Sequence, residues 1–292
     1  MRSYNGIERA VVFVHYDRDD IVDDYVYYYL SELRKHCSYL LFVSTAKLQK
    51  DDLQKLSTYC SEVMPRENVG YDFMSYKVGL ERFAYYEYDE VVLCNDSVYG
   101  PIKPLERLFE EMAHRECDFW GITDNTDISY HLQSYFLVFK KNVLRSDAFR
   151  KFWHQVEVLD DKNEIIEKYE IGLTGFLQAN GFRSSAYTRF QPTKRQKLNV
   201  FLKKFTPGKI VRKTISILAG KDKIKRIGKL NATHHFWKEL LLSGKMPFIK
   251  IELLRDNPMQ TDIDDFERTI HQVSDYDTKL IVHHLARMEA GR

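Results

Sequence analysis

Three short apolar runs constrain this chain more than any other feature: Ala10 to His15 (AVVFVH), Tyr39 to Ser44 (YLLFVS) and Glu90 to Cys94 (EVVLC). The first is rich in β-branched residues and ends in the polar cluster Tyr16-Asp17-Arg18-Asp19-Asp20, which is how a buried strand followed by a loop reads. Between the runs, the pattern predicts helices over Val22 to Lys35, Asp51 to Cys60 and Asp72 to Tyr85, with a short strand at Glu62 to Pro65. Strands alternating with helices in this way imply right-handed βαβ units and a mainly parallel sheet. Such sheets bind ligands beyond the carboxyl ends of their strands. That rule points to Tyr16 to Asp20, Asn68 to Tyr71 and Asn95 to Ser97.

Further strands are expected at Asp118 to Thr123 and Ser134 to Lys140, and helices at Ala148 to Glu157 and Glu164 to Ala179. The second of these helices places Ile165, Tyr169, Leu173 and Leu177 on one face and stops at Gly181. The fold class is therefore α/β, a single Rossmann-type, mainly parallel sheet flanked by helices, with a C-terminal helical extension. The expected division is a core over residues 1–190, a basic amphipathic segment over 191–230, and a folded C-terminal segment with a helical tail over 231–292.

The formal net charge is +2, yet Lys194 to Lys229 carries thirteen Lys or Arg against the single acid Asp222. The remainder is correspondingly acidic. Apolar residues interleave with the basic ones around Pro207-Gly208, so this segment reads as a hairpin for an anionic membrane surface, a solvated connector, or a nucleic-acid contact. No run is long enough to span a bilayer and Met1 to Ala10 lacks a signal-peptide core, which predicts a cytoplasmic protein. Cys37, Cys60, Cys94 and Cys117 show neither a CxxC pair nor a zinc spacing and read as reduced thiols.

Asp96, between Asn95 and Ser97, stands where a strand end places a catalytic loop. A carboxylate there holds a divalent cation that bridges a diphosphate, or else belongs to an Asx turn. His234 and His235 are the candidate partners for such a metal, and structural histidines in the alternative. Glu170 lies off the apolar stripe of its helix, as a general base for an acceptor hydroxyl or an ordinary exposed carboxylate would. Asp72 and Lys77 follow Asn68-Val69-Gly70-Tyr71; Lys77 is suited to phosphate, and Asp72 to phosphate-side binding or to a helix N-cap. Beside the Asp124 loop, His131, Gln133 and Tyr135 combine amide, imidazole and ring groups of the kind that face sugars, or that lead into a strand.

Six strings in one order, NVGYDFMSYKVGL, LCNDSVYGPIKPL, DFWGITDN, HLQSYFLVFKK, YEIGLTGFL and PFIKIELLRDNP, resemble the rhamnan synthesis protein F family from about residue 8 to residue 258. The resemblance implies a GT-A-like glycosyltransferase that moves rhamnose from a dTDP-rhamnose-like donor to a lipid-linked polysaccharide acceptor. For such a reaction, the strand-end and residue-type reading puts Tyr16, Asp72, Lys77, Asn95, Asp96 and Ser97 on the donor side, and Asp124, His131, Gln133 and Tyr135 on the acceptor side. The resemblance favours Glu170 as the base, because Tyr169-Glu170, Leu173, Leu177 and Gly181 are similar to the acceptor-side helix of GT-A enzymes; the residues themselves offer Asp96, with His234 and His235, as ligands for Mn or Mg. Where GT-A enzymes usually carry Asp-x-Asp, this chain has Asn95-Asp96-Ser97, with one carboxylate. The expected partners are the nucleotide sugar, the lipid-linked glycan and the inner face of the bacterial plasma membrane, with no nucleic acid. Another nucleotide sugar or sugar phosphate, or a non-catalytic binding module, is the alternative.

Overall fold

The computed structural model describes residues 6–126, 128–189, 193, 194, 196 and 231–291. The first strand, β1 (Arg9–His15), is buried along its whole length, which matches its near-continuous apolar sequence. It pairs in parallel with β2 (Tyr39–Ser44) on one side and β4 (Glu90–Asn95) on the other. β3 (Glu62–Pro65) extends the parallel sheet beyond β2. The crossovers are made by α1 (Asp24–Arg34), α2 (Lys50–Leu56) and α3 (Tyr71–Glu81), so the alternation seen in the sequence is realised as βαβ units.

After the two-residue β5 (Val98–Tyr99) and α4 (Leu105–Ala113), the sheet continues through β6 (Phe119–Asn125), β7 (His131–Leu132) and β8 (Phe136–Lys140). Strand order is β3-β2-β1-β4-β8-β6-β7, and β9 (Ser184–Thr188) pairs in parallel with β6. β8 runs antiparallel to both β4 and β6, so the sheet is mixed but mostly parallel.

Successive residues of β1 point to opposite faces. Val11 and Phe13 join a core with α1, α4 and the C-terminal elements, whereas Ala10, Val12 and Val14 join one with α3, α6 (Asp147–His154) and α8 (Gly172–Ala179). Short helices α5 (Lys141–Leu144) and α7 (Lys162–Ile165) complete the second layer. α3 lies close against the sheet because it presents Gly79, where a Cβ would stand 2.5 Å from Cγ1 of Val12. At the start of the sheet, buried Arg9 donates from Nε to Glu90 at 2.9 Å and from Nη1 to the carbonyl of His36 at 2.8 Å. The buried charge is thereby paired and hydrogen-bonded, as it must be to remain ionised.

The C-terminal segment contains α9 (Ala232–His235), α10 (Trp237–Leu242), β10 (Ile249–Lys250), α11 (Ile251–Arg255), α12 (Phe266–His271) and α13 (Lys279–Ala290). β10 pairs antiparallel with β5, placing Lys250 opposite Val98. The segment therefore returns to the end of β4, two residues past Asp96. All four cysteines are buried free thiols. No helix among the described residues is long and apolar enough to cross a membrane.

Some elements differ from expectation. The helix expected to reach Tyr85 ends at Glu81, and Tyr85–Glu87 forms a separate 3-10 turn. The stretch Ile166–Ile171, read as ordinary helix, is a π-helical turn. Asp72 does not cap α3; Gly70, in a left-handed conformation, occupies that position. The basic segment 191–230 lies outside the described residues except for Thr193, Lys194 and Gln196.

Candidate active site

The turn after β4 is built by Asn95. Its Oδ1 accepts from the backbone N–H of Ser97 at 3.2 Å and from the Ser97 hydroxyl at 2.7 Å, closing an Asx turn. Its Nδ2 donates to Oδ2 of Asp72 at 2.8 Å, so strand end and α3 are tied through one amide. Asp96 is oriented from the neighbouring strand: Tyr16, directly after β1, donates its backbone N–H to Oδ2 at 2.9 Å. The hydroxyl of Tyr25 donates to the Asp96 carbonyl at 3.1 Å. Five of the residues expected to act together are therefore held by hydrogen bonds, Asn95 with Asp72 and Ser97, and Tyr16 with Asp96.

The electrostatics of this corner are unusual. Burial pushes the Asp96 carboxyl well above its ordinary range, against the opposing bond from Tyr16, and the carboxylates of Asp72 and Asp17 push it further. Burial raises Asp72 as well, opposed by the bond from Asn95. His15, whose Nε2 is 3.9 Å from Asp96, gives no compensating charge at neutral pH, because burial lowers its imidazole to about 4. Two carboxyl groups thus share a desolvated corner in which a cation would favour their ionised forms.

The opposite wall comes from the second half of the chain. Oε1 of Glu170, in the π-helical turn, accepts the backbone N–H of Ser134 at 2.9 Å and the Ser134 hydroxyl at 3.0 Å. Ser134 is fixed in turn by Tyr76 of α3, whose hydroxyl donates to its carbonyl at 3.0 Å. π-Helical turns recur at functional sites, since the extra residue per turn re-aims side chains. Here Tyr169 stays buried in the core while the next residue, Glu170, is half-buried and charge-coupled to Asp72.

Lys250 completes the arrangement. Its Nζ lies 3.9 Å from the centre of the Tyr135 ring, and burial lowers its ammonium to about 8 despite the carboxylates of Glu170, Glu252 and Asp72. It was not singled out from the sequence. A signal was present, a lone lysine within Pro247-Phe248-Ile249-Lys250-Ile251, in one of the strings that carry the family resemblance. Ser134 and Tyr76 were likewise missed as supports of Glu170.

The remaining expected residues divide. Tyr16 is 52 % exposed at the strand end, open to a ligand. Lys77 is not free for phosphate: its ammonium donates to the carbonyls of Val156 at 2.8 Å and His154 at 3.3 Å, tying α3 to the end of α6. Gln133 and Tyr135 are buried and both meet the hydroxyl of Thr123, at 2.6 and 2.9 Å, so they shape the site from below. His131 is buried, with Nδ1 against the Ser129 carbonyl at 2.9 Å. Asp124 is raised by burial, opposed by Arg189 and His131.

His234 and His235 do not join Asp96 in a shared ligand set among the described residues. Asn231 caps α9 by accepting from Thr233 N–H at 3.1 Å, which packs His234 into the interior, its Nε2 3.9 Å from Glu252. Burial lowers His234 to about 4. The described groups close enough to share a cation are Asp17, Asp23 and His284, and Arg287 already lies among them. For Mn or Mg, the strand-end turn offers one oxygen ligand, the Asp96 carboxylate, and diphosphate oxygens would have to supply the others.

A mostly parallel sheet with carboxylates from both halves of the chain gathered past its strand ends defines an α/β enzyme-type site. Residues 40–233, more than half of the chain, match the family model described as Rhamnan synthesis protein F. The chain belongs to the rhamnan synthesis protein F family, and family and architecture together define a glycosyltransferase-type enzyme. It is 30% identical over 273 residues to Virulence protein VirA of Vibrio anguillarum, covering 88% of this chain and 84% of that protein. It is 32% identical over 154 residues to the uncharacterized protein y4gN of Sinorhizobium fredii, covering 50% of this chain and 40% of that one. Among solved structures, the glycosyltransferase GlyE of Streptococcus pneumoniae TIGR4 overlaps 76% of this chain and 54% of its own, at 14% identity and a TM-score of 0.37. At that score the likeness carries no functional weight.

Proposed function

We propose that the protein transfers a sugar, rhamnose from a thymidine-diphosphate donor, onto a lipid-linked cell-surface polysaccharide acceptor, with inversion at the anomeric carbon. The observation that carries this reading is the placement of Glu170. Its Oε1 is held by two donors of Ser134 on the wall facing the Asn95–Ser97 turn, leaving Oε2 for an acceptor hydroxyl. Glu170 takes the hydroxyl proton as the acceptor oxygen bonds to the anomeric carbon. The bond from that carbon to the diphosphate oxygen breaks, and its electron pair departs with the nucleoside diphosphate. Asp96, oriented by the Tyr16 N–H, would hold a divalent cation, which when bound offsets charge on the diphosphate.

The exposed ring of Tyr16 offers a surface for the nucleotide base. Membership of the family supports the polysaccharide acceptor, and the thirteen basic residues between Lys194 and Lys229 support a reaction at the anionic inner face of the plasma membrane. The test is transfer from a panel of nucleotide sugars to lipid-linked acceptor, combined with thermal unfolding in the presence of each nucleotide. A ligand at about 100 times its dissociation constant adds roughly 2.7 kcal/mol. Selective stabilisation by thymidine diphosphate rhamnose is expected; preference for another nucleotide sugar would replace the donor, and a folded protein indifferent to all of them would overturn the reading.

A further inference from the structure

Lysines in folded proteins normally find a carboxylate, a set of carbonyls or bulk water. Lys77 follows this rule by donating to two carbonyls. Lys250 does not. Among the described residues its ammonium makes no hydrogen bond and no carboxylate oxygen reaches ion-pair distance, although Asp72, Glu170 and Glu252 all lie near enough to favour its charge. The residue is only half-buried by surface area, so it is not sealed inside a closed core.

Its position is over-determined by the fold. Ile249 and Ile251 are buried on either side, and the β5–β10 pair sets Lys250 opposite Val98, next to the Asn95–Ser97 turn. The Tyr135 ring beneath the ammonium is anchored through its hydroxyl to Thr123 at 2.9 Å. A cation resting on a fixed aromatic face keeps its charge while its N–H groups remain free for a ligand. Two residues before Val98, its partner across the β5–β10 pair, the turn carries the single carboxylate Asp96, so a metal there would have few protein ligands.

Resting on the glycosyltransferase reading above, we infer that Lys250 is the protein's own cation for the donor diphosphate, binding its phosphate oxygens and offsetting the negative charge left when the bond to the sugar breaks. The ammonium does what a divalent ion does in this position, as a point charge with three donors. Binding of the nucleoside diphosphate therefore persists when metal is removed.

The experiment is calorimetric titration of the full-length protein with thymidine, uridine and guanosine diphosphates, each in excess chelator, against the corresponding nucleosides. Lys250→Met is expected to weaken the preferred diphosphate about tenfold or more while leaving the nucleoside unchanged, and Lys250→Arg to stay within about threefold of the parent. Wild-type affinity is expected to fall as pH rises through about 8, and this decline to vanish in Lys250→Arg. The charged or titratable groups facing Lys250 are Asp72 from α3, Glu170 from the π-helical turn, Glu252 from α11, Lys162 from α7 and His234 from α9; the last is neutral across that range. Parent-like diphosphate affinity in Lys250→Met overturns the inference, as does equal loss for nucleoside and diphosphate. If Lys250→Met does not fold, a wild-type affinity constant from pH 7 to 9.5 overturns it. A parent protein that binds no nucleoside diphosphate at all sinks the glycosyltransferase reading instead.

Discussion

Arg287 of α13 donates from Nη2 to Oδ2 of Asp17 at 2.6 Å, and the same nitrogen donates to Oδ2 of Asp23 at 2.6 Å. The last helix is thereby clamped onto the loop after β1, whose Tyr16 orients Asp96. Arg18 adds a bond from Nη2 to the Met288 carbonyl at 3.0 Å, and His284 places Nδ1 2.7 Å from the Tyr99 hydroxyl.

Arg287→Ala should therefore be costly, because it strands partly buried carboxylates. A loss of about 2–4 kcal/mol is expected. In denaturant melts this lowers the midpoint, and hydrogen exchange should quicken in both 279–290 and the loop after β1. Exchange confined to the helix would show that the clamp does not order the loop. Burial works against ionisation of Asp17, but Arg287 and the N–H groups of Asp19 and Ile21 outweigh it and hold the carboxyl below its ordinary value. The stability this contributes is present at neutral pH and is lost as pH falls through the depressed value.

Glu170→Gln keeps an oxygen that can accept both Ser134 donors, so the fold should be retained, with a melting temperature within about 2 °C of the parent. Turnover should fall by about a hundredfold or more, since the amide accepts no proton. Donor affinity, read by calorimetry at about pH 6 so that Lys250 stays charged without the Glu170 carboxylate, should stay near the parent value. Retained turnover would remove Glu170 as the base.

Asp96→Asn separates function from stability. Burial raises the carboxyl in the folded state, so folding favours the protonated form. Its favourable contribution is present in acid and disappears as pH rises through the raised value. The neutral amide should therefore melt a few degrees higher than the parent at pH 7.5, with the gain vanishing near pH 4, while any gain in donor affinity from added divalent cation is lost. Equal melting temperatures at both pH values would count against a strained, desolvated carboxylate.

Gly79→Ala tests the approach of α3 to the sheet. A methyl group 2.5 Å from Val12 and 3.3 Å from Val43 cannot be accommodated without moving the helix. A cost of about 1–3 kcal/mol is expected. Because α3 carries Asp72 and Tyr76, nucleotide affinity should decline with it; unchanged melting would mean the helix yields without strain.

The sheet and its strand-end loops were legible in the sequence because β1, β2 and β4 are buried on both faces and read as near-continuous apolar runs separated by helix-length stretches. Asn95, Asp96 and Tyr16 could be found from those strand ends alone. Glu170 could be suspected from its place off the Tyr169, Leu173 and Leu177 stripe, but the π-helical turn that aims it has no periodic signature.

What the sequence by itself determined is the order of strands and helices and the location of the strand-end loops, since both follow from local patterns of burial. Only the tertiary structure decided which distant side chains serve those loops. β5 and β10 are two residues each, too short for any alternation, and the pairing of Val98 with Lys250 spans much of the chain. The same holds for Arg287 with Asp17 and for the diversion of Lys77 to α6. Such contacts are fixed by packing summed over the whole core, so no short stretch of residues contains them.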